Sequence, residues 1–245
     1  MSVMRSSLLG SLLQVLKFNL DRKAARVRGF EIGRVFLRDA AVETSDTTVK
    51  GIHQPMRVAG LIYGDPDGLS WTHKDRRADF YDGKGDVEAL LAPLRPVFEA
   101  AEHPAMHPGR CARVLLDGQA IGFVGELHPR WRQQYDLPQA PVLFELALDA
   151  ALQRPVPVAQ PVPRFQAVER DIAFTAAESV TFGALESVIR AAAARSGLLR
   201  GVQLFDVYRP QAGKGAEAGT GLASEHKSLA AVSYTHLRAH ETSLH

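Results

Sequence analysis

The amino-acid sequence predicts an α+β protein built on antiparallel sheets, and three observations carry that expectation. Strand-like segments are joined by hairpins or long excursions, with few of the alternating strand–helix steps that build a parallel sheet. The stretch "LQRPVPVAQPVPRF" holds Pro155, Pro157, Pro161 and Pro163, the composition of an extended linker between two domains. Beyond it the order strand–helix–strand–strand is the first two-thirds of a split β-α-β unit.

In "SSLLGSLLQVLKFNLDRK", Leu8, Leu9, Leu12, Leu13, Leu16 and Leu20 recur at helical spacing, so one face of a helix is apolar. Ser6 or Ser7 is placed to cap it, a hydroxyl accepting from a free amide of the first turn. "VRGFEIGRVFLRD" reads as a strand with Phe30, Ile32 and Phe36 among its apolar positions, and "MRVAGLIYG" as another. "GDVEALLAPLRPVFEAAEH" places Val87, Leu90, Leu91, Leu94 and Phe98 at helical spacing, with Pro93 and Pro96 expected to kink or shorten the helix. Asp117-Gly118, between two apolar runs of "RCARVLLDGQAIGFVGEL", supplies the positive backbone angles of a tight hairpin. A short helix around Trp131 and the strand "PVLFELAL" complete the first domain. After the linker come strand "RDIAFTA", helix "TFGALESVIRAAAARSG", strand "GVQLFDVY", a Gly-rich loop and a strand opening at Lys227.

Composition excludes several function classes. Hydrophobic content of 46% beside 23% charged residues supplies an ordinary globular core. The net charge of +2 favours no partner by sign. One cysteine, Cys111, rules out a disulfide framework and fits a reducing, cytoplasmic setting. No apolar run approaches the roughly 20 residues of a membrane span. From Met1 to Arg38, eight basic residues face two acidic ones. Such a segment could touch RNA phosphates, but the solvated side of a helix–strand unit is the favoured reading.

No catalytic constellation emerges. "QAGKGAEAGTG" around Lys214 lacks the phosphate-loop spacing and reads as a hairpin loop. His103 and His107 stand four apart, but Pro104 and Pro108 break the helix that would align them on a metal. Cys111 lies in a strand, where packing is the expectation. Asp79, Asp82 and Asp86 do not have calcium-loop spacing, and Asp86 is expected to cap a helix. "GVQLFDVY" offers more. Alternation places Leu204, Asp206 and Tyr208 on one face and Phe205 and Val207 on the other. If the latter pair lies under the helix, Tyr208 can stack on an unpaired base and Asp206 can accept from a guanine edge, although on these residues alone a half-exposed strand pair is the favoured reading.

"MSVMRSSLLGSLLQVLKFNLDRKAARVRGFEIGRVF", "FYDGKGDVEALL", "HPGRCARVLLDGQAIGFVGELHP" and "LFELAL" resemble, in order, the catalytic-core-like region of the bacterial phenylalanyl-tRNA synthetase beta subunit family. "RFQAVERDIAF", "LFDVYRP" and "HKSLA" resemble that family's C-terminal ferredoxin-fold anticodon-binding domain. The resemblance covers Met1 to about Ala230. It implies an antiparallel class II synthetase-like core fragment at 1–152, non-catalytic and shortened at its N-terminus, then the linker at 153–163. An incomplete ferredoxin-like β-α-β-β anticodon-binding domain follows at 164–231. It further implies a component of an α2β2 ligase that joins phenylalanine to its tRNA with ATP and Mg2+, with catalysis in the alpha subunit. Magnesium and editing sites are expected upstream, so this chain alone is expected to bind neither cofactor and to be inactive. The family's anticodon-contact positions carry over to Asp206 and Tyr208, with Arg164, Phe165, Arg170 and Lys227 as further candidates by charge or ring character.

One segment departs from the resemblance. "VSYTHLRAHET", Val232–Thr242, replaces the expected alternation of apolar and basic residues. It looks like the in-frame translation of a transposon-end sequencing adapter, so 232–245 is expected to be foreign to the protein. Two other readings stand beside the ligase fragment. One is a stand-alone RNA-binding module without enzymatic role. The other is a small metal-binding protein using His236, His240 and His245, which fails if the tail is adapter.

Overall fold

Leu9, Leu12, Leu13 and Leu16 are buried along one side of α1 (Leu9–Leu20), the stripe that their spacing dictates. The computed structural model describes residues 4–68, 71, 75–159, 167–209 and 225–236. It divides into two compact units, Met1–Pro157 and Val158–His245. Ser7 Oγ accepts from the Leu9 amide at 3.1 Å, but neither Ser6 nor Ser7 is the cap residue: that position is Leu8, which makes no side-chain cap hydrogen bond. The Leu8 amide, however, donates to a distant carboxylate, Glu145 Oε2, at 3.0 Å.

The first unit continues through β1 (Val27–Arg34), β2 (Leu37–Arg38), β3 (Ile52–His53), β4 (Met56–Tyr63), α2 (Phe80–Leu91) and β5 (Val97–Ala100). Then come β6 (Met106–Leu116), β7 (Gln119–Leu127), α3 (Pro129–Gln134), β8 (Val142–Ala147) and α4 (Leu148–Leu152). Six strands form one sheet in the order β1-β4-β8-β7-β6-β5, every neighbouring pair antiparallel. Alternation sorts side chains to the two faces. Ala59, Leu61 and Leu143 join the α1 core, while Val58, Phe144 and Leu146 join Val87 and Leu91 of α2. Gly60 lies under the Phe144 ring, where any Cβ would collide. At the β6–β7 hairpin, Asp117 (φ 50°) and Gly118 (φ 78°) both take positive angles, as the Asp-Gly signal requires. Cys111 is buried, its Sγ 3.5 Å from Met106 Sδ, and burial pushes its thiol up.

Two expectations change. The helix placed over "GDVEALLAPLRPVFEAAEH" starts at Phe80 and ends at Leu91, and Val97–Ala100 is a strand paired with β6. Pro93 and Pro96 do more than kink it: a residue without N–H, whose ring crowds the preceding turn, stops the helix. Asp86 caps nothing; it sits within α2 and pairs with Arg28. The cap is Asp79, whose side chain accepts from the Tyr81 and Asp82 amides while Asp82 accepts from the Asp79 amide, a reciprocal capping box.

The second unit comprises β9 (Ala167–Ala177), α5 (Phe182–Ala193), β10 (Leu199–Tyr208) and β11 (His226–His236). Thr181 caps α5, accepting from the Ala184 amide at 3.3 Å. The sheet order is β10-β11-β9, with β11 antiparallel to both neighbours. That is the split β-α-β arrangement. β11 continues past Ala231 and pairs with β9 as far as His236↔Ala167. Backbone ladders read no side-chain identity, and Val232, Tyr234 and Thr235 are good strand formers. Among the described residues no helix is long and apolar enough to cross a membrane.

Candidate nucleic-acid interface

The three-stranded sheet has one buried face and one open face. On β11, Leu229 and Ala231 are 2% and 0% exposed, and Lys227 and Ser233 on the same side are also buried. The alternate residues Ser228 and Ala230 are less buried. Their partners on β10 are Tyr208 and Asp206, and directly paired residues share a face. Asp206 and Tyr208 therefore stand together on the open side, both exposed. Neither side chain has a partner among the described residues.

Val207, paired with Leu229, faces the buried side as expected, but Leu204 and Phe205 depart from the alternation for a local reason. The register steps from Leu204↔Ala231 to Asp206↔Ala230, leaving Phe205 as an extra residue. A bulge of this kind inverts the side-chain sequence on either side of it. Leu204 is thereby opposite Ala231 of the buried face and does not share a side with Asp206 and Tyr208. Phe205 is not tucked beneath the helix: it is 58% exposed, beside Tyr208 at 42%. Sequence reasoning missed Phe205 because strict alternation cannot see a bulge. An unexplained aromatic next to Asp206 was the available signal.

The basic candidates lie elsewhere. Arg170 pairs with Ser233 and Lys227 with Ala176, both in register with the buried side of β11. Lys227 Nζ donates to the Glu178 carbonyl at 2.7 Å and lies 3.8 Å from its carboxylate. Arg209 Nε donates to that carboxylate at 3.0 Å. The open side instead carries Asp171, paired to Val232. Its chemistry suits base edges and rings, and it is poor in groups for phosphates. Arg164, Phe165, the loop around Lys214, His240 and His245 lie outside the described residues, as does the His236 side chain. Among the described residues no group of three or more His, Cys, Asp or Glu could hold a metal.

Six of the eight basic residues from Met1 to Arg38 are engaged internally, among them Arg22 with the Phe18 carbonyl and Arg26 with the Pro66 carbonyl. Arg5 pairs with Glu31, Arg28 with Asp86 and Lys17 with Asp21, while Arg34 donates to the Gln54 carbonyl.

Comparison with known proteins agrees in both units. The family described as "Phenylalanyl tRNA synthetase beta chain CLM domain" matches residues 1–148, and "Ferredoxin-fold anticodon binding domain" matches residues 163–242. A phenylalanine--tRNA ligase beta subunit of Ralstonia nicotianae is 50% identical over 94% of this chain. That of Cupriavidus pinatubonensis is 48% identical over the same share. The chain spans 28% of the length of each of these relatives. A solved pyrrolysyl-tRNA synthetase from Desulfitobacterium hafniense aligns over 60% of this chain and 47% of its own. At TM-score 0.40 and 13% identity, that likeness is too slight to bear on fold or function.

Proposed function

The chain belongs to the phenylalanyl-tRNA synthetase beta-chain family, and on that premise we propose that it works as part of the beta subunit of a phenylalanine–tRNA ligase. In this reading the second unit contacts the tRNA anticodon. The first is a class II synthetase-like core without a catalytic site, which supports an alpha subunit within an α2β2 enzyme in the cytoplasm. The observation that carries the RNA role is the exposed run Phe205, Asp206 and Tyr208 on one strand. An aromatic ring accepts a stacked base, and a carboxylate with no partner among the described residues accepts from the donor edge of a guanine. Arg164, Phe165 and Arg170 remain the next contacts to test, whereas Lys227 acts first as a fastener for Glu178. ATP and Mg2+ belong to the complete enzyme. The described residues offer no cluster suited to the metal.

Within the complete enzyme, Tyr208→Ala will weaken tRNA binding by roughly 1–3 kcal/mol, the worth of one base–aromatic stack. Nitrocellulose-filter binding measures this, and unchanged affinity would reduce Tyr208 to a surface residue. The chain purified alone will give no phenylalanine-dependent charging of tRNA; robust charging refutes the assignment of catalysis to another subunit. Val232–Thr242 is further proposed to be adapter-encoded. Resequencing the locus decides that, and finding those codons in the genome ends the idea.

A further inference from the structure

In the first unit, a cavity of about 180 Å³ opens beside the start of α1, on the face of the sheet that α1 covers. Its apolar wall includes Leu9, Val35 and Phe123, and its polar groups include Arg57, His103 and Glu145. Ser6, exposed at the rim, brings it to the surface. The volume suits a small molecule, since an engineered cavity of about 150 Å³ holds benzene.

The polar groups are arranged around a gap. Arg57 Nε is buried with no hydrogen-bond partner among the described residues. One buried guanidinium N–H left in that state calls for an acceptor, and a carboxylate can meet it together with a neighbouring N–H of the same fork. Glu145 pairs with Ala59 and Arg57 with Ala147, so the two oppositely charged residues are diagonal neighbours on one face, their backbones about 7–8 Å apart. They form no ion pair with each other. Glu145 Oε2 accepts from Ser7 and Leu8, while Oε1 has no partner among the described residues. His103 Nδ1 accepts from the Ala105 amide at 3.2 Å, which assigns the proton of the neutral ring to Nε2. Its ring lies 4.9 Å from that of Phe123.

We propose that this cavity binds a free α-amino acid with a small apolar side chain. The ligand carboxylate meets the Arg57 guanidinium, its ammonium meets the Glu145 carboxylate, and its side chain rests against Leu9, Val35 and Phe123. A zwitterionic head spans the two opposite charges, which form no ion pair with each other, and uses the Glu145 Oε1 that Ser7 and Leu8 leave open. Neither a simple anion nor a simple cation uses both. The site lies within the first unit, and the proposal does not rest on the RNA-binding reading of the second.

Isothermal titration of the whole chain tests this with L-leucine, 4-methylpentanoate (no ammonium) and 3-methylbutylamine (no carboxylate). Leucine is expected to saturate, with each truncated ligand at least about tenfold weaker, the loss of one charge-assisted contact. Arg57→Met is expected to weaken leucine by the same factor. Leu37→Trp, which fills the cavity without removing a charge, is expected to abolish binding. No leucine saturation below about 20 mM overturns the proposal. So does equal binding of leucine and the amine, or leucine binding that survives Leu37→Trp. If Arg57→Met fails to fold, the ligand series on the unaltered chain and the Leu37→Trp titration decide.

Discussion

The two units use their sheets in opposite ways. The first buries side chains on both faces, Leu61 and Leu143 toward α1, Val124 and Leu146 toward α2. In the second, the buried side chains among the described residues all lie on β11, and only Leu229 and Ala231 among them are apolar. β9, α5 and β10 contribute none. Cohesion is concentrated in the first sheet and accessible chemistry in the second. A residue that displays a ring or a carboxylate on a strand cannot also anchor that strand.

The contrast can be broken most strongly at Leu146, fully buried beneath α2. Leu146→Ala will destabilise the first unit by about 2–5 kcal/mol, the cost of lost transfer energy plus a cavity. Urea unfolding followed by hydrogen exchange reads it. Amides of β6 to β8 will lose protection, and those of β9 to β11 will not follow if the units are independent. Leu229→Ala asks the reverse question. Removing one of two buried apolar side chains will cost about 2 kcal/mol or more, and β9–β11 protection will collapse while the first unit's transition stays in place. Next comes Asp79→Ala, which removes the α2 cap at about 0.5–2 kcal/mol, measured by the urea midpoint.

The smallest effect is a pH dependence. The Arg76 hydrogen bond holds the Asp82 carboxyl below the usual carboxylate range, against an opposing effect of burial and with help from the Asp79 amide. A depressed folded-state value means that this contribution is complete above the unfolded value of about 3.9 and fades as pH falls through the lower folded one. Arg76 is substantially exposed, so the effect is modest. The stability gap between the unaltered chain and Asp82→Asn will narrow on acidification below about pH 4. A gap constant with pH removes the ion pair from the account of α2.

Much of this was legible in the sequence because the informative signals are local. The leucine stripe of α1, the Asp117-Gly118 hairpin and the β-α-β-β order each depend on residues near one another. What escaped depends on partners far away or on one-residue defects. The end of α2 at Leu91 frees Val97–Ala100 to join β6, a choice made by an available strand edge. Asp79 outcompeted Asp86 as cap because Asp82 stands three residues after it and Arg76 steadies Asp82. At the candidate interface, Asp206 and Tyr208 were placed together by parity. The inserted Phe205 left that pair intact, since both lie on the same side of the bulge, but it transferred Leu204 to the other face. The counter-residues of Arg57, and the cavity they frame, come from strands scattered along the chain, and no spacing rule joins them.

The Glu145 contact bears on the order of events in folding. Leu8, at the start of the chain, has its amide met by a carboxylate 137 positions later. During synthesis at about 5–20 residues per second, roughly 7 to 27 seconds separate the two residues' appearance. Throughout that interval the Leu8 amide is without its carboxylate acceptor. The opening helix is therefore completed by nearly the last strand of its own unit, a long loop closure that must precede the contact. In kinetic terms, Glu145→Ala will chiefly accelerate unfolding and leave the refolding rate almost unchanged, the signature of an interaction formed after the barrier.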